Sequence, residues 1–235
     1  MKKGILSLIL LTWISLQIQA QDDKGFIGIS IGPSIPMDDF ASKDANNEAA
    51  GWANTGAIFD ISFAYKLGGG NFGVTALLRG QANSTDAQAF ADEFANQVAG
   101  VSWTVESASW GMGGLMLGGF GSFPISESAS FDTRAMIGFL SATSPEITVT
   151  GTVPGGTVWV KQGTKAASSF AYLLGAGFKF DVGSRLHLLT NIDYLGSNPE
   201  FRNVETTTSF GTRESNTFSQ SMGTLNLSIG LALKF

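Results

Sequence analysis

The chain has 235 residues, with 14% charged residues, a formal net charge of -5 and no cysteine. The missing cysteine excludes disulfide staples, thiolate catalysis and every cysteine-based metal motif. The acidic balance and the lack of a basic patch argue against nucleic-acid binding. Outside the amino-terminal segment there is no run of 18 apolar residues, so no membrane-spanning helix is expected there.

At the amino terminus, Lys2 and Lys3 precede an apolar run from Ile5 to Ile18, and Ala20 offers a small residue at a cleavage point. Basic start, apolar middle and small-residue end predict a secretory signal peptide over 1–20. The remainder, 21–235, reads as one domain.

Eight segments then alternate apolar and small or polar residues with the period of a strand. They are 25–35, 55–67, 72–83, a segment within 101–121, 129–142, 169–180, 186–196 and 219–235. In the second, Phe59, Ile61 and Phe63 oppose Asp60, Ser62 and Ala64. In the third, Phe72, Val74 and Leu78 oppose Gly73, Thr75 and Arg79. Glycine interrupts the fourth; the heavier residues Trp110, Met112, Met116 and Phe120 are assigned to its outward face. The eighth is the cleanest: Leu225, Leu227, Ile229, Leu231, Leu233 and Phe235 lie on one face, with Asn226, Ser228, Gly230, Ala232 and Lys234 on the other. About ten residues is the length a tilted strand needs to cross a bilayer.

The connections alternate too. Residues 68–71, 122–128 and 181–185 are short turns, whereas 36–54, 84–100, 143–168 and 197–218 are long and mostly polar. Short turns in the periplasm and long loops outside are the outer-membrane pattern. A soluble barrel shares the period with its apolar face turned inward. Here the minority face carries Asp60, Arg79, Asp132, Arg134, Lys179 and Asp193, suited to pairing in a crowded interior. Aromatic residues fall near both ends of the segments, as in a barrel with two girdles. The fold predicted is all-β: an eight-stranded antiparallel up-and-down transmembrane β-barrel.

The closing strand, its terminal Phe235 and this turn-and-loop pattern resemble the small OmpA/OmpX-type eight-stranded barrels of the bacterial outer membrane. The Ala20–Gln21 junction resembles those of Bacteroidota exported proteins. The resemblance implies a location in the cell outer membrane, contact with its lipid, and insertion by machinery that reads Phe235. It implies no single activity.

Candidate chemistry is sparse. His187 is the only histidine and is expected inward, near the turn end of the seventh segment. Lipid A deacylases of this fold carry a histidine with a serine two positions later, near the outer leaflet; Leu189 stands there instead. No catalytic residue and no cofactor is therefore assigned. Asp38, Asp39, Asp44 and Glu48 in the first loop lack the spacing of a calcium loop and read as a solvated acidic stretch.

If Leu67 faces Phe72 across the second turn, Asp60 faces Arg79, and an ion pair in the lumen is expected. In the second loop, which opens on Ser84 and ends on Gly100, Ser84 or Thr85 is placed to cap a helix running to Val98. Ala87, Phe90, Ala91, Phe94 and Val98 share one face of it. That face either binds a partner or lipid, or folds over the barrel mouth. In the third loop, from Thr143 to Ser168, residues 147–150 and 157–161 flank Pro154, Gly155 and Gly156 and predict a hairpin. These two loops are the expected partner surface. The reading is a non-enzymatic barrel acting through its loops or outer surface. Lumen glycines such as Gly28, Gly175, Gly177 and Gly230 leave open an alternative, a narrow path for small or apolar molecules.

Overall fold

A computed structural model describes residues 24–98 and 100–235; the signal-peptide segment lies outside the described residues. The strands are β1 (Gly25–Met37), β2 (Gly56–Lys66), β3 (Phe72–Asn83), β4 (Ser102–Ser107), β5 (Trp110–Ser126), β6 (Ala129–Thr143), β7 (Ile147–Val153), β8 (Gly156–Gln162), β9 (Ala166–Asp181), β10 (Leu186–Ser197), β11 (Glu200–Thr208), β12 (Arg213–Ser219) and β13 (Met222–Lys234). The helices are α1 (Asp38–Ala41) and α2 (Ala87–Gln97).

Eight strands close a barrel in the order β1-β13-β10-β9-β6-β5-β3-β2, every pair antiparallel. The seam is β1 against β13, with Ile27 opposite Leu233 and Ile31 opposite Ile229. Closure leaves no strand edge exposed to the bilayer, the condition for crossing it with strands. The period-2 pattern sends the apolar set outward. Ile29, Ile31, Phe59, Leu78, Ile137, Leu174, Ile229 and Leu231 stand exposed on the barrel wall. Asp60, Arg79, Asp193, Asn83 and Asn226 are buried inside. A buried polar interior within an exposed apolar wall inverts a soluble barrel; it is stable only when hydrocarbon surrounds the wall.

The fourth barrel strand corrects one expectation. Trp110, Met112, Met116 and Phe120 point into the lumen, at 4%, 6%, 0% and 8% exposure, while Leu115 and Leu117 face lipid. The alternation is intact along β5, but Gly113 and Gly119 occupy outward positions and bulky apolar groups occupy inward ones. Residue size therefore mistakes the inner face for the outer. The aromatic rings at the strand ends stay as expected apart from Trp110 and Phe120. Phe72 and Phe131 are exposed toward the turns, and Phe139 and Phe170 toward the loops.

The lumen is filled in layers. Leu77, Met116, Met136, Leu140, Ala171, Leu173 and Leu195 form an apolar layer. A second apolar cluster closes the extracellular mouth, with Phe40 of α1, Trp110, Phe201, Val204 and Met222 at its heart. The Trp110 indole donates to the Gly51 carbonyl at 2.9 Å, fixing the first loop over the opening.

The long loops are ordered into more structure than their polar composition suggests. The expected hairpin is present as β7–β8. It belongs to a five-stranded sheet in the order β12-β11-β8-β7-β4, outside the barrel. β4 breaks from β5 at Ala108 and Ser109, and β11–β12 fill the fourth loop. Helix α2 is capped by Asp86, which accepts from the Ala89 N–H at 3.1 Å, rather than by Ser84 or Thr85. Thr85 is taken up by a bridge to Ala53, and its hydroxyl donates to the Ala108 carbonyl at 3.0 Å.

Candidate functional site: an apolar groove above a sealed barrel

Two sites emerge from this architecture. One is the charged layer of the lumen. β2 and β3 are joined by a tight turn in which the Leu67 N–H donates to the Phe72 carbonyl at 2.9 Å. That register sets Asp60 opposite Arg79. Arg79 donates from Nε to Asp60 Oδ1 at 2.8 Å and from Nη2 to Asp60 Oδ2 at 2.6 Å. Nη2 also reaches Asp193 Oδ2 on β10 at 3.1 Å. Asp193 in turn receives a two-pronged contact from Arg134 on β6, at 2.8 and 2.6 Å. Two carboxylates and two guanidiniums thus alternate across the lumen with no net charge. Bidentate pairing of this kind gives the strongest charge-assisted hydrogen bonds available to side chains.

A lumen glycine explains how the charges fit. Gly175 lies opposite both Asp193 and Arg134. A Cβ there would come within 2.0 Å of Asp193 Oδ1. The space it leaves is occupied by the ion pair, not by a channel. The void below this layer measures about 30 Å³, room for roughly one or two waters.

Toward the turns a second polar group forms. Asp132 pairs with Lys179 at 3.3 Å and accepts from Ser122 and Ser130 at 2.6 and 3.0 Å. His187 is buried there, facing inward as expected, with Nδ1 2.7 Å from Asp181 Oδ1 and its ring edge-on to Phe26. The first-loop acids do not converge. Asp44 accepts from the backbone and side chain of Asn46, and Asp39 from Asn47. Among the described residues there is no cluster of three acidic or histidine side chains able to hold a metal ion.

The other site is extracellular. Strand alternation gives the five-stranded sheet one mostly polar face, which also carries the exposed Trp159, and one mostly apolar face, which also carries Gln162 and Thr206. On the polar face Lys161 pairs with Glu146 at 2.8 Å. On the apolar face one row runs Trp103, Gly151, Val158, and the next runs Val105, Val149, Val160, Thr208. Helix α2 covers part of this face, with Phe94 against Trp103 at 5.3 Å and Phe90 against Trp52 at 4.7 Å. Trp52 has a positive φ of 53°, unusual for a bulky residue, and is held there by its burial beneath α2. Asp86 anchors the start of the helix. The Lys43 side chain and the Ala89 N–H hold its carboxyl below the usual range.

What α2 leaves uncovered is a groove of about 480 Å³, walled by Phe90, Phe94, Trp103, Val149, Val160 and Phe210 among others. The volume falls within the range of small-molecule sites. No charged side chain lines it. Two polar atoms in its walls, Trp103 Nε1 and Thr208 Oγ1, are buried without a hydrogen-bond partner among the described residues. Leaving such a group unpaired costs about 1–3 kcal/mol. Both expected partner loops contribute to the groove, but β4 and Thr208 of β11 were not anticipated. Their signal was present as short alternations: Trp103 and Val105 between polar residues, and Val204, Thr206 and Thr208.

An antiparallel, even-stranded barrel with an apolar outer wall, short turns on one side and long structured loops on the other is a transmembrane β-barrel of the outer-membrane type. The chain is placed in the outer membrane, in contact with its lipid. No protein-family model matches the sequence, and no curated protein matches it either. Similar solved structures include the attachment invasion locus protein Ail of Yersinia pestis, at 12% identity, with 92% of this chain and 100% of that chain covered and a TM-score of 0.45. Neisserial surface protein A matches at 10% identity over 90% of this chain and 97% of that one, TM-score 0.43. A major outer membrane protein from Thermus thermophilus matches at 10% identity, 90% and 99% coverage, TM-score 0.49.

Proposed function

We propose that this protein is a non-enzymatic outer-membrane barrel whose work is done at the cell surface, by the five-stranded sheet and α2. The observation that carries the reading is the division between a filled lumen and a built extracellular face. An ion network, an apolar layer and a mouth cluster occupy the barrel interior. A path for solutes would need that space. The extracellular strands instead form an ordered sheet whose apolar face is only half covered; large exposed or half-covered apolar surface marks interaction sites. The non-enzymatic reading is supported by the position of His187. It sits inward at the turn end, beside Asp181 and Phe26, away from any outer-leaflet substrate.

The test is complementation. In cells lacking the protein, a clipped barrel is expressed with β4, β7–β8 and β11–β12 replaced by short turns. It should reach the surface at normal levels yet fail to restore the phenotype of the loss. A clipped barrel that complements fully overturns the reading. In planar bilayers the intact protein should give no stable open channel; reproducible conductance steps would favour transport instead.

A further inference from the structure

We propose that the outer edge of β12 is a homophilic docking site, pairing antiparallel with the β12 edge of a second copy of this chain carried by a facing membrane. This rests on the reading that the protein works through its extracellular face, and names the partner that face takes.

The edge exists because the extracellular sheet prolongs only part of the barrel wall. Its order β4-β7-β8-β11-β12 repeats the order β5-β6-β9-β10-β13 of the barrel strands beneath, and each extracellular strand joins its barrel strand through two or three residues. β1, the next barrel strand, turns aside at the mouth into α1. β12 is therefore left with one side bare, and Arg213, Glu214, Ser215, Asn216 and Thr217 are all exposed.

The backbone groups on that bare side can be assigned. The Gly163 N–H donates to the Glu205 carbonyl at 2.8 Å, so Glu205 directs its backbone toward β8 and away from β12. At the tip, the Thr208 N–H donates to the Thr212 carbonyl at 3.1 Å. Bonded and non-bonded pairs alternate along an antiparallel ladder. Glu214 and Asn216 are thus the residues bonded to Thr206 and Val204 of β11, while Arg213, Ser215 and Thr217 direct their N–H and C=O groups outward. Among the described residues no backbone hydrogen bond links these three to another element. Such a row is a template for one more strand.

The row is self-complementary. With Ser215 opposite Ser215 about a two-fold axis, Arg213 of each copy faces Thr217 of the other, and all the outward groups of the three residues are paired. Glu214 then lies opposite Asn216, whose amide donates to its carboxylate, at the pair positions where side chains come closest. The neighbouring registers are poorer. Centring on Glu214 opposes two carboxylates. Centring on Asn216 sets Glu214 against Phe218 and drives the tip turn at 209–212 toward Met37, which flanks β13 at Gly223. β12 has no proline or lysine to guard its edge, and its two charged residues, Arg213 and Glu214, meet no like charge in the favoured register.

Direction selects the facing membrane. In every copy β12 runs from the tip turn down to β13. Two copies in one membrane hold these strands parallel, whereas the two-fold pairing needs them antiparallel, with the barrels pointing at each other. The tip turn, which carries the 80% exposed Phe210, then lies beside the other copy's barrel rim. A few strand pairs bind weakly one at a time, so many copies on each membrane are needed to hold it.

The experiment reconstitutes the full barrel in phosphatidylcholine vesicles, in two populations carrying different labels. The chain has no cysteine, so a single introduced thiol reports one contact. On mixing, the vesicles should cluster by light scattering, and Ser215→Cys should form a disulfide joining both labels under mild oxidation. Glu214→Cys and Asn216→Cys should not. Ser215→Pro removes an outward N–H without costing a bond to β11, and should abolish clustering while heat-modifiable migration persists. If it does not fold, Asn216→Glu serves in its place. Asn216→Glu should lower the yield of the Ser215→Cys bridge about threefold or more by opposing Glu214, and Asn216→Lys should raise it. An unbridged Ser215→Cys, bridging at Asn216→Cys instead, or full bridging in vesicles kept too dilute to meet overturns the proposal. Failure here alongside a clipped barrel that cannot complement would sink the strand pairing alone. A clipped barrel that complements would sink the surface reading itself.

Discussion

Removing Arg79 should be the most damaging single change in the charged layer, and the reason is the topology of the network. Its four groups run Asp60, Arg79, Asp193, Arg134. Arg79→Ala strips Asp60 of both its hydrogen bonds at a site with side-chain exposure of 1%, while Asp193 keeps Arg134. A buried charge left without its partner costs about 3–5 kcal/mol. Asp60→Ala should cost less, because Arg79 retains Asp193 at 3.1 Å. Arg134→Ala should cost least, about 1–3 kcal/mol, because Arg134 is 14% exposed and Asp193 keeps Arg79. The double variant Asp60→Ala/Arg79→Ala leaves only the neutral Asp193–Arg134 pair. It should lose less than the sum of the singles by about 2 kcal/mol or more, the size of coupling seen between residues of one network. Urea unfolding of the refolded barrel in detergent, read by heat-modifiable gel migration, measures all four. Strict additivity, or an Arg134→Ala loss exceeding that of Arg79→Ala, would refute this account of the lumen.

Further outcomes follow from single contacts. Gly175→Val should destabilise the barrel by an amount comparable to Asp193→Ala, since its Cβ would meet Asp193 Oδ1 at 2.0 Å; an unchanged urea midpoint would count against the packed network. Deleting Phe235 should lower surface levels. Its carbonyl accepts from the Gly25 N–H at 3.0 Å and its ring stacks on Phe63, so both the seam and the signal we assign to the insertion machinery are lost. Normal surface levels would argue against that role. His187→Ala should leave lipid A acylation unchanged by mass spectrometry; a change would make the protein an enzyme. Asp86→Ala should cost about 1 kcal/mol through the lost helix cap and loosen α2, read by proteolysis within 87–97. Because the Asp86 carboxyl is depressed in the fold, its contribution is present above the unfolded value near 3.9 and fades as pH falls through the lower folded value. Protection of α2 should therefore weaken in acid, and a protection profile flat down to pH 2 would refute this.

The barrel was legible because its dominant constraint is one-dimensional. A strand between lipid and lumen must alternate, and β13 shows the pattern without exception from Leu225 to Lys234. The register of β2 on β3 could be read from the short turn at 68–71, which is why Asp60 and Arg79 could be matched before either was located in space. The partners Asp193 and Arg134 lie on strands whose neighbours are not fixed by a short turn to β2, and only closure of the barrel brings them together.

The extracellular groove was legible only in pieces, and the physics differs there. Inside the membrane, the solvent on each side of a strand is set by position, so residue polarity reports facing. Above the membrane both faces meet water unless another element covers them. Whether Trp103 and Val105 are covered depends on α2 and β7, and β7 is distant in sequence. β5 failed for a related reason. Alternation fixes that inner and outer residues differ, but not which set is larger, and an eight-stranded lumen must itself be packed. At the loop end that packing is done by Met112 and Met116 rather than by ions, so the bulky groups lie inside while Gly113 and Gly119 lie outside. The same demand ties the two halves of the molecule together. The ions fill one layer of the barrel, Leu77, Met116 and Leu140 fill the next, and Phe40 and Phe201 from the loops close the mouth above them.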